Sequence, residues 1–409
     1  MSSASKLNAN DFIEKTDYTK YIIIFIVVLI VIFMIYSLRR INRRENNCKN
    51  ISNNFDILQN NDFYTFNQSK KGKYFKGETK VANKTIDYNY KLKDFYIKTA
   101  HNACCTGRFR NDYVDLCALE NVAKHGVRAL DFQIYSLDGY PIVAASSVDS
   151  NVIKNTYNHL YLEDVMNEVN TLFLSSNPGS GDEYNHSVLH KDPLFLFFRI
   201  HYGSDEQLES SDTLDDKLTH FYNKIYRILE NSFSINNFNS KILGSLYSDE
   251  DKQIMVSNTD MQDLKSRIFL FVSVNDVTLD IVKASNLHSV VDNYIDGINM
   301  LDYRISDLNT NDVLSISTKN KKGLSICYPD FDYSMPTNYD FLKPMSLGVQ
   351  FCAMNFQQYD LQIQNYNKFF IENYGTNNSN SVTSPYIKKP DELISFPTEM
   401  SLFFSEELE

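Results

Sequence analysis

The sequence predicts an α/β fold, a TIM-type (β/α)8 barrel preceded by a single N-terminal transmembrane helix. Three observations lead to this prediction. Residues 21–38 carry no charge, short apolar runs alternate with helical patterns beyond about residue 90, and 409 residues are enough for one large domain with an accessory segment. Alternating strands and helices favour a parallel sheet, and the number of strands favours a closed barrel over an open sheet.

Composition and charge exclude several classes of protein. Hydrophobic residues make up 43% and charged residues 22% of the chain, as in proteins that fold in water. We therefore exclude a wholly disordered chain and a polytopic membrane protein. The formal net charge is −11, so we expect no nucleic-acid partner, because sequence-independent binding to nucleic acid requires a basic surface.

Residues 21–38, YIIIFIVVLIVIFMIYSL, are predicted to form one transmembrane helix. At about 1.5 Å per residue they nearly span a hydrocarbon layer of about 30 Å. A cleaved signal peptide is the alternative, but this run is longer than a typical signal core and no small-residue cleavage site follows it. We therefore predict a membrane anchor.

The charges that flank the predicted span indicate its orientation. Arg39, Arg40, Arg43 and Arg44 follow the span, whereas basic and acidic residues balance each other before it. The positive-inside rule then predicts a single-pass membrane protein with its N-terminus outside and its C-terminal barrel in the cytosol. There we expect all six cysteines to be reduced, and they lack the spacing of a zinc site.

Polar segments flank the span, and strand patterns follow. Residues 1–20 are a short tail, and residues 39–90 are a basic polar juxtamembrane linker whose lysines either contact anionic lipid headgroups or are simply solvated. Residues 160–174 and 213–231 show helical spacing. The runs predicted as buried strands are FYIKTA, GVRALDFQIY, DPLFLFFRI, SRIFLFVSV, GLSICY and GVQFCAMNF.

Polar side chains lie at the ends of three of these runs, where a barrel gathers its catalytic groups. His101 and Asn102 follow FYIKTA, Asp131 lies within the second run, and Arg199 and His201 end the third. Because Arg199 and His201 are two residues apart on one strand, they are expected to point to the same face.

These residues resemble the X and Y catalytic halves of the eukaryotic phosphoinositide-specific phospholipase C family. His101-Asn102 matches the family's histidine-asparagine pair, with Arg128 at the family's spacing. GVQFCAMNFQ resembles its Gly-x-Gln-x-x-x-x-Asn-x-Gln segment, and PYIKKP its closing Gly-Tyr-x-Leu-Lys-Pro. The resemblance divides the chain into an X-like half at residues 91–274, a short X/Y linker at 275–313, a Y-like half at 314–400 and a tail at 401–409.

The resemblance implies a phosphodiesterase that uses two histidines and a calcium ion. One histidine serves as general base or stabilises the pentacovalent phosphorus, and the other protonates the leaving oxygen. Calcium, held by an asparagine and acidic side chains, stabilises the charge that develops. His101 retains the first histidine, and Asn102 and Asp131 retain two calcium-ligand positions.

Several metal-binding and catalytic positions depart from the family. Gln133 and Arg199 stand where it has acidic ligands, and Ala145 stands where it has the second histidine. A single carboxylate beside an arginine is expected to bind calcium poorly, so no cofactor is expected unless the altered site still holds calcium. Loss of a general acid ordinarily lowers the rate by about 10²–10⁴-fold.

The substrate side is altered as well. Tyr333 replaces a phosphate-binding arginine, and the family's lysine-rich strand becomes SRIFLFVSV. Arg108 and Arg267 are then the candidate substrate-binding cations.

Three functions remain open. The first is a pseudoenzyme at a membrane that binds a lipid, such as a phosphoinositide headgroup, or a protein partner. The second is an active, calcium-independent phosphodiesterase in which Arg199 replaces calcium, His101 is the base and His201 the acid. The alternative to this catalytic role is that Arg199 and Asp131 form a purely structural salt bridge. The third is a structural membrane component.

Overall fold

The computed structural model describes thirteen stretches of the chain. Its contacts divide the chain into two compact units, Met1–Lys49 and Asn50–Glu409. The described residues are 9–60, 90–148, 153–174, 192–202, 214–234, 256–261, 263–264, 267–274, 276–295, 300–309, 312–331, 336–372 and 385–394.

Helix α1, Ala9–Asn60, contains the predicted span. Within Tyr18–Ile57, an uncharged stretch of 18 residues has a mean hydropathy of 3.1, and none of its residues is buried. Helix α1 is therefore long and apolar enough to be a candidate membrane span. The helix continues into the segment predicted as a polar linker, residues 39–90, where Lys49 and Glu45 form an i,i+4 ion pair at 2.6 Å. The first part of that segment is therefore helical, and residues 61–89 lie outside the described residues.

Eight parallel strands form a nearly closed barrel in the order β7-β6-β5-β2-β1-β10-β9-β8. A parallel bridge between Ile295 and Met300 joins the two ends of this order. Strands β3 and β11 pair antiparallel with β2 and β1, and β4 pairs with β3. The strands are β1 (Phe95–Ala100), β2 (Ala129–Leu137), β3 (Tyr140–Ala144), β4 (Leu160–Tyr161), β5 (Leu194–His201), β6 (Ile268–Ser273), β7 (Asn293–Tyr294), β8 (Met300–Arg304), β9 (Leu324–Tyr328), β10 (Phe351–Met354) and β11 (Tyr386–Lys388).

Helices separate most of the parallel strands, as the sequence predicted. The longest of them, α4, begins one residue after the predicted start at residue 213. The helices that follow α1 are α2 (Leu116–Lys124), α3 (Leu162–Val169), α4 (Leu214–Ser234), α5 (Asp276–Ala284), α6 (Val313–Lys322), α7 (Leu342–Ser346) and α8 (Leu361–Glu372).

The barrel prediction is confirmed, but the predicted linker is corrected. Each of the six predicted runs contains a strand of the barrel. Residues 275–313, predicted as an X/Y linker, contain α5, β7 and β8, so two barrel strands lie inside it. Strand β7 has only two residues, too few to produce a periodic pattern in the sequence.

The protein has two hydrophobic cores, one inside the barrel and one outside it. The inner core fills the barrel with phenylalanines, and the ring centroid of Phe197 lies 4.9 Å from that of Phe271 and 5.0 Å from that of Phe351. The outer core lies between the strands and the helices. Because both faces of each strand are buried, the strands read as continuous apolar runs. The inner core forms the floor beneath the polar residues at the strand ends.

Candidate functional site

Three neighbouring strands bring the predicted polar residues together at the carboxyl end of the barrel. His101 follows β1, Asp131 lies in β2 and Arg199 lies in β5. Arg199 Nε donates to Asp131 Oδ1 at 2.8 Å, and Arg199 Nη2 donates to Asp131 Oδ2 at 2.7 Å. Both side chains are buried, so this is a desolvated bidentate ion pair.

His101 and Asn102 complete a closed network around Asp131. His101 Nδ1 lies 2.9 Å from Asp131 Oδ2, and the Asn102 backbone N–H donates to the same oxygen at 2.9 Å. Asn102 has a φ of 45°, in the left-handed region that asparagine enters more readily than most residues. Its side-chain Oδ1 accepts from Arg199 Nη2 at 3.0 Å, and its Nδ2 lies 3.2 Å from His101 Nε2.

The electrostatics of this network keep His101 neutral at neutral pH. Burial outweighs the hydrogen bond to Asp131 and lowers the pKa of His101 to about 4. Burial alone would raise the pKa of Asp131, but Arg199 and His101 hold it well below its usual range. A neutral imidazole that donates from Nδ1 to Asp131 accepts at Nε2 from Asn102. Both ring nitrogens of His101 are therefore engaged within the network.

An aromatic ring separates two guanidinium groups beside the network. Arg199 and Arg304 place their guanidinium carbons 5.0 Å and 5.2 Å from the ring centroid of Tyr328. Arg304 also lies 4.0 Å from the ring centroid of Phe331 and donates to the Pro329 carbonyl at 2.7 Å. Among the described residues, the buried Tyr328 hydroxyl has no hydrogen-bond partner.

Arg304 is not among the site residues predicted from the sequence. This arginine ends β8, a strand within the segment predicted as a linker. Its position at a strand end would have identified it, had β8 been recognised.

The oxygens expected to hold calcium are already bonded within the protein. Arg199 engages both oxygens of Asp131 and the side-chain oxygen of Asn102. Gln133 Oε1 accepts from the Tyr135 hydroxyl at 2.6 Å and from the Ser146 backbone N–H at 2.8 Å. Calcium takes about six to eight oxygen ligands, so this donor set, with a guanidinium at its centre, does not fit the ion.

The second histidine of the catalytic hypothesis lies outside this network. His201 stacks on Tyr135 with ring centroids 5.0 Å apart. Burial, assisted by Arg199, lowers the pKa of His201 to about 3, and its Nε2 has no hydrogen-bond partner among the described residues. Ala145, in the position of the family's second histidine, is fully buried and has no group that transfers a proton.

The two predicted substrate-binding arginines lie in different places. Arg108 is exposed in the loop after β1, on the same side of the barrel as His101. Arg267 directly precedes β6, at the opposite end of the barrel, and its Nε donates to the Asp263 carbonyl at 3.0 Å. Arg267 therefore does not reach the network. Tyr333 lies outside the described residues.

The cysteines correct one expectation. Cys104, Cys105, Cys327 and Cys352 are buried free thiols, as predicted. Cys48 and Cys117, by contrast, are disulfide-bonded. The expectation that all six cysteines are reduced is therefore wrong for Cys48 and Cys117.

Comparison with known family models finds a match in the C-terminal part of the barrel. Residues 277–392 match the family "Phosphatidylinositol-specific phospholipase C, Y domain". The C-terminal part of the barrel is thus similar to the Y domain of phosphatidylinositol-specific phospholipase C. The match begins within the segment predicted as a linker, in agreement with the position of α5, β7 and β8.

Solved structures show the same phospholipase C-like fold. Crystal structures of S. officinalis PLC21 and L. pealei PLC21 align with TM-scores of 0.54 and 0.53 at 15% and 16% sequence identity. In each case the alignment covers 76% of this chain and 38% of the other, so this chain spans well under half of those proteins. A calcium-dependent phosphoinositol-specific phospholipase C from Pseudomonas sp. aligns with a TM-score of 0.40 at 12% identity, over 72% of this chain and 96% of that one. No curated protein sequence matches the chain.

Proposed function

We propose that this phospholipase C-like protein is a membrane-anchored pseudoenzyme that binds an anionic lipid headgroup without hydrolysing it. The observation that carries the proposal is the position of the Arg199 guanidinium. It occupies the oxygens of Asn102 and Asp131 that the family resemblance assigns to calcium. The site therefore offers a fixed cation in place of a metal ion, and no calcium cofactor is needed for its integrity.

The missing proton donor supports loss of hydrolysis. Ala145 replaces the second histidine, and His201 is stacked on Tyr135 outside the network. His101 has both ring nitrogens engaged, so a substrate hydroxyl would have to displace Asn102 to reach Nε2. Cleavage of a phosphodiester needs both a base and an acid at ordinary enzymatic rates.

Two arginines support binding of an anionic headgroup. Arg304 is half-buried at the end of β8, and Arg108 is exposed after β1 on the same side of the barrel. Guanidinium groups bind phosphate through paired hydrogen bonds, and a partly desolvated guanidinium binds it more strongly than an exposed one. Arg304 is therefore the better candidate for contact with a phosphoinositide headgroup, and Arg108 the weaker.

A second candidate function rests on the pair formed by His101 and Asp131. A carboxylate 2.9 Å from an imidazole Nδ1 orients the ring as a general base. With Arg199 in the place of calcium, the same residues would form a calcium-independent phosphodiesterase. This function requires a proton donor that the described residues do not place beside His101, and it therefore stands second.

The proposed anchoring places α1 across the membrane with the barrel in the cytosol. The four arginines that follow the apolar run favour this orientation, whereas the disulfide-bonded Cys48 and Cys117 are typical of an oxidising compartment. Protease treatment of sealed membranes that contain the full chain distinguishes a barrel in the cytosol from a barrel on the opposite side of the membrane. Digestion of the barrel without detergent supports the cytosolic orientation, and protection until detergent is added reverses it.

The proposed function is tested with the full chain in detergent micelles. Binding of dihexanoyl phosphatidylinositol 4,5-bisphosphate and of dihexanoyl phosphatidylserine is measured by calorimetry, and release of water-soluble inositol phosphate is followed with calcium and with chelator. We expect phosphoinositide binding, no release, and about tenfold or more weaker binding in Arg304→Gln. Arg267→Gln is the matched control, because Arg267 lies at the opposite end of the barrel.

The other outcomes select among the remaining functions. Calcium-independent release that is lost in Arg199→Ala establishes the phosphodiesterase. Calcium-dependent release that is lost in His101→Ala overturns the interpretation of the metal site. Absence of both binding and release leaves a structural membrane component or one that binds a protein partner.

A further inference from the structure

Three hydrogen-bond donors converge on one side-chain oxygen just beyond the end of β3. Strand β3 ends at Ala144, and Ser146 and Ser147 follow it closely. Oδ1 of Asn155 accepts from Ser146 Oγ at 2.9 Å, from Ser147 Oγ at 3.1 Å and from the Ser147 backbone N–H at 3.2 Å. An amide oxygen has two lone pairs, so three donors exceed its capacity. The donors therefore suit an acceptor that is richer in electrons than Asn155.

The donors are buried and held in place. Ser146 and Ser147 are only 3% and 2% exposed. The Ser146 backbone N–H donates to Gln133 Oε1 at 2.8 Å, which ties this turn to β2. Hydrogen bonds from such donors to an ionised acceptor are stronger than bonds to a neutral one, and burial limits the competition from water. The two serines thus offer a preformed arrangement of donors for a negatively charged oxygen.

The side chain of Asn155 can leave these donors while its main chain stays in place. Asn155 is half-buried. Its backbone N–H donates to the Ala145 carbonyl at 2.8 Å, and its carbonyl accepts from the Asn111 backbone N–H at 3.0 Å. These two bonds anchor the main chain, whereas a partly exposed side chain changes rotamer rapidly. One side-chain rotation therefore frees the donors without movement of the loop.

The charges around this turn favour an anion. Gln133 lies opposite Arg199 in the register of β2 and β5, and its Oε1 accepts from the Tyr135 hydroxyl at 2.6 Å. His201 stacks on Tyr135, and among the described residues its buried Nε2 has no hydrogen-bond partner. Burial and then Arg199 lower the pKa of His201, so the surroundings disfavour a further positive charge. An anion at the turn would meet the opposite condition and be stabilised.

We propose that Ser146 and Ser147 form a binding site for one oxygen of a phosphate group, which the side-chain oxygen of Asn155 occupies as a displaceable substitute. A phosphate oxygen carries negative charge and more lone-pair density than an amide oxygen, so it satisfies all three donors. A lipid headgroup and a soluble phosphate share this chemistry. The proposed function uses neither serine, and this inference does not depend on it.

The test measures binding of inorganic phosphate, and separately of dihexanoyl phosphatidylinositol 4,5-bisphosphate, to the full chain in micelles by calorimetry at pH 7. Asn155→Ala frees the three donors, so we expect it to bind inorganic phosphate about tenfold more tightly than wild type does. Addition of Ser147→Ala to this variant should abolish the gain. Asn158→Ala is the matched control, because Asn158 holds the same loop through two hydrogen bonds to the Val114 backbone. We expect it to bind phosphate as wild type does.

A second variant tests the preference for an anion without requiring Asn155→Ala to fold. Asn155→Asp places a carboxylate on the same three donors as a tethered anion. We expect it to raise the thermal unfolding midpoint above that of wild type, because charge-assisted hydrogen bonds replace neutral ones. It should also abolish the binding of inorganic phosphate at this site, since the carboxylate occupies the donors.

Two results would overturn the inference. If Asn155→Ala binds inorganic phosphate no more tightly than Asn158→Ala does, the serines do not form a phosphate site. If Asn155→Asp lowers the unfolding midpoint, the three donors do not favour an anion.

The two probes distinguish the sources of the phosphate. A gain in Asn155→Ala for the lipid as well as for inorganic phosphate assigns a headgroup phosphate to the site, and a gain for inorganic phosphate alone assigns a soluble one. The proposed function is judged instead from lipid binding by wild type and Arg304→Gln, so the two proposals can fail separately.

Discussion

The guanidinium of Arg199 binds both carboxylate oxygens of Asp131 across two adjacent parallel strands. The two residues are 68 positions apart in the chain, and the pair is almost completely buried. One ion pair thus fills a site that the resemblance assigns to a metal, and it fixes the orientation of His101 and Asn102.

We expect Arg199→Met to lower the free energy of unfolding by about 3–5 kcal/mol, because it leaves Asp131 buried without a cation. The double variant Arg199→Met with Asp131→Leu is expected to recover much of that loss. The chain has no tryptophan, so urea unfolding is followed by circular dichroism. Lys388→Met is the control, since its ion pair with Asp391 is exposed and worth less than about 1 kcal/mol. Equal effects of the two single variants would contradict the assignment.

We expect the stability of the protein to fall as the pH drops from about 6.5 towards 4. The pKa of His101 is about 4 in the folded protein, against about 6.5 when unfolded. In this window the unfolded state binds the proton and the folded state does not, so protonation favours unfolding, by up to about 3 kcal/mol for His101. His101→Gln should remove the contribution of His101 to the change in unfolding free energy with pH. An NMR titration midpoint of His101 near 6.5 would contradict this prediction.

Lys98 is expected to make stability rise with pH above neutrality. This lysine is fully buried and donates to the His125 carbonyl at 2.6 Å, and burial lowers its pKa to about 7. Between about pH 7 and 10.5 the unfolded state binds the proton and the folded state does not, so stability increases through this window, by up to about 4–5 kcal/mol.

The contribution of Lys98 is isolated by comparing wild type with Lys98→Met in urea unfolding at pH 6 and at pH 9. The variant should be the more stable at pH 6, and its advantage should shrink at pH 9. Lys91→Met is the control, because Lys91 is exposed. An advantage independent of pH would show that Lys98 is not desolvated.

We expect Phe197→Ala to destabilise the barrel by about 3–5 kcal/mol, because it leaves a cavity in the inner core between Phe271 and Phe351. Phe197 lies beneath the network of Asp131 and Arg199, so the cavity also loosens their support. Leu314→Ala on α6 should change stability by less than about 0.5 kcal/mol, since Leu314 is 71% exposed. Similar thermal unfolding midpoints for the two variants would contradict this description of the core.

The structure confirmed the features that depend on continuous local patterns. Six apolar runs became barrel strands because parallel strands are buried on both faces and therefore read as unbroken apolar segments. The strand ends brought His101, Asn102, Asp131 and Arg199 together, as expected for a barrel. Strand β7 was missed because two residues carry no periodicity, and Arg304 was missed with the neighbouring β8.

The sequence by itself determined the barrel, the apolar span candidate and the residue types at the strand ends, because burial and periodicity are properties of consecutive residues. Only the tertiary structure decided which of those residues meet. In the folded chain Arg199 donates hydrogen bonds to Asp131 and Asn102. His201 stacks on Tyr135, and Arg267 lies at the far end of the barrel. These outcomes depend on strand order and side-chain direction, which are fixed when the sheet closes and cannot be read from neighbours in the chain.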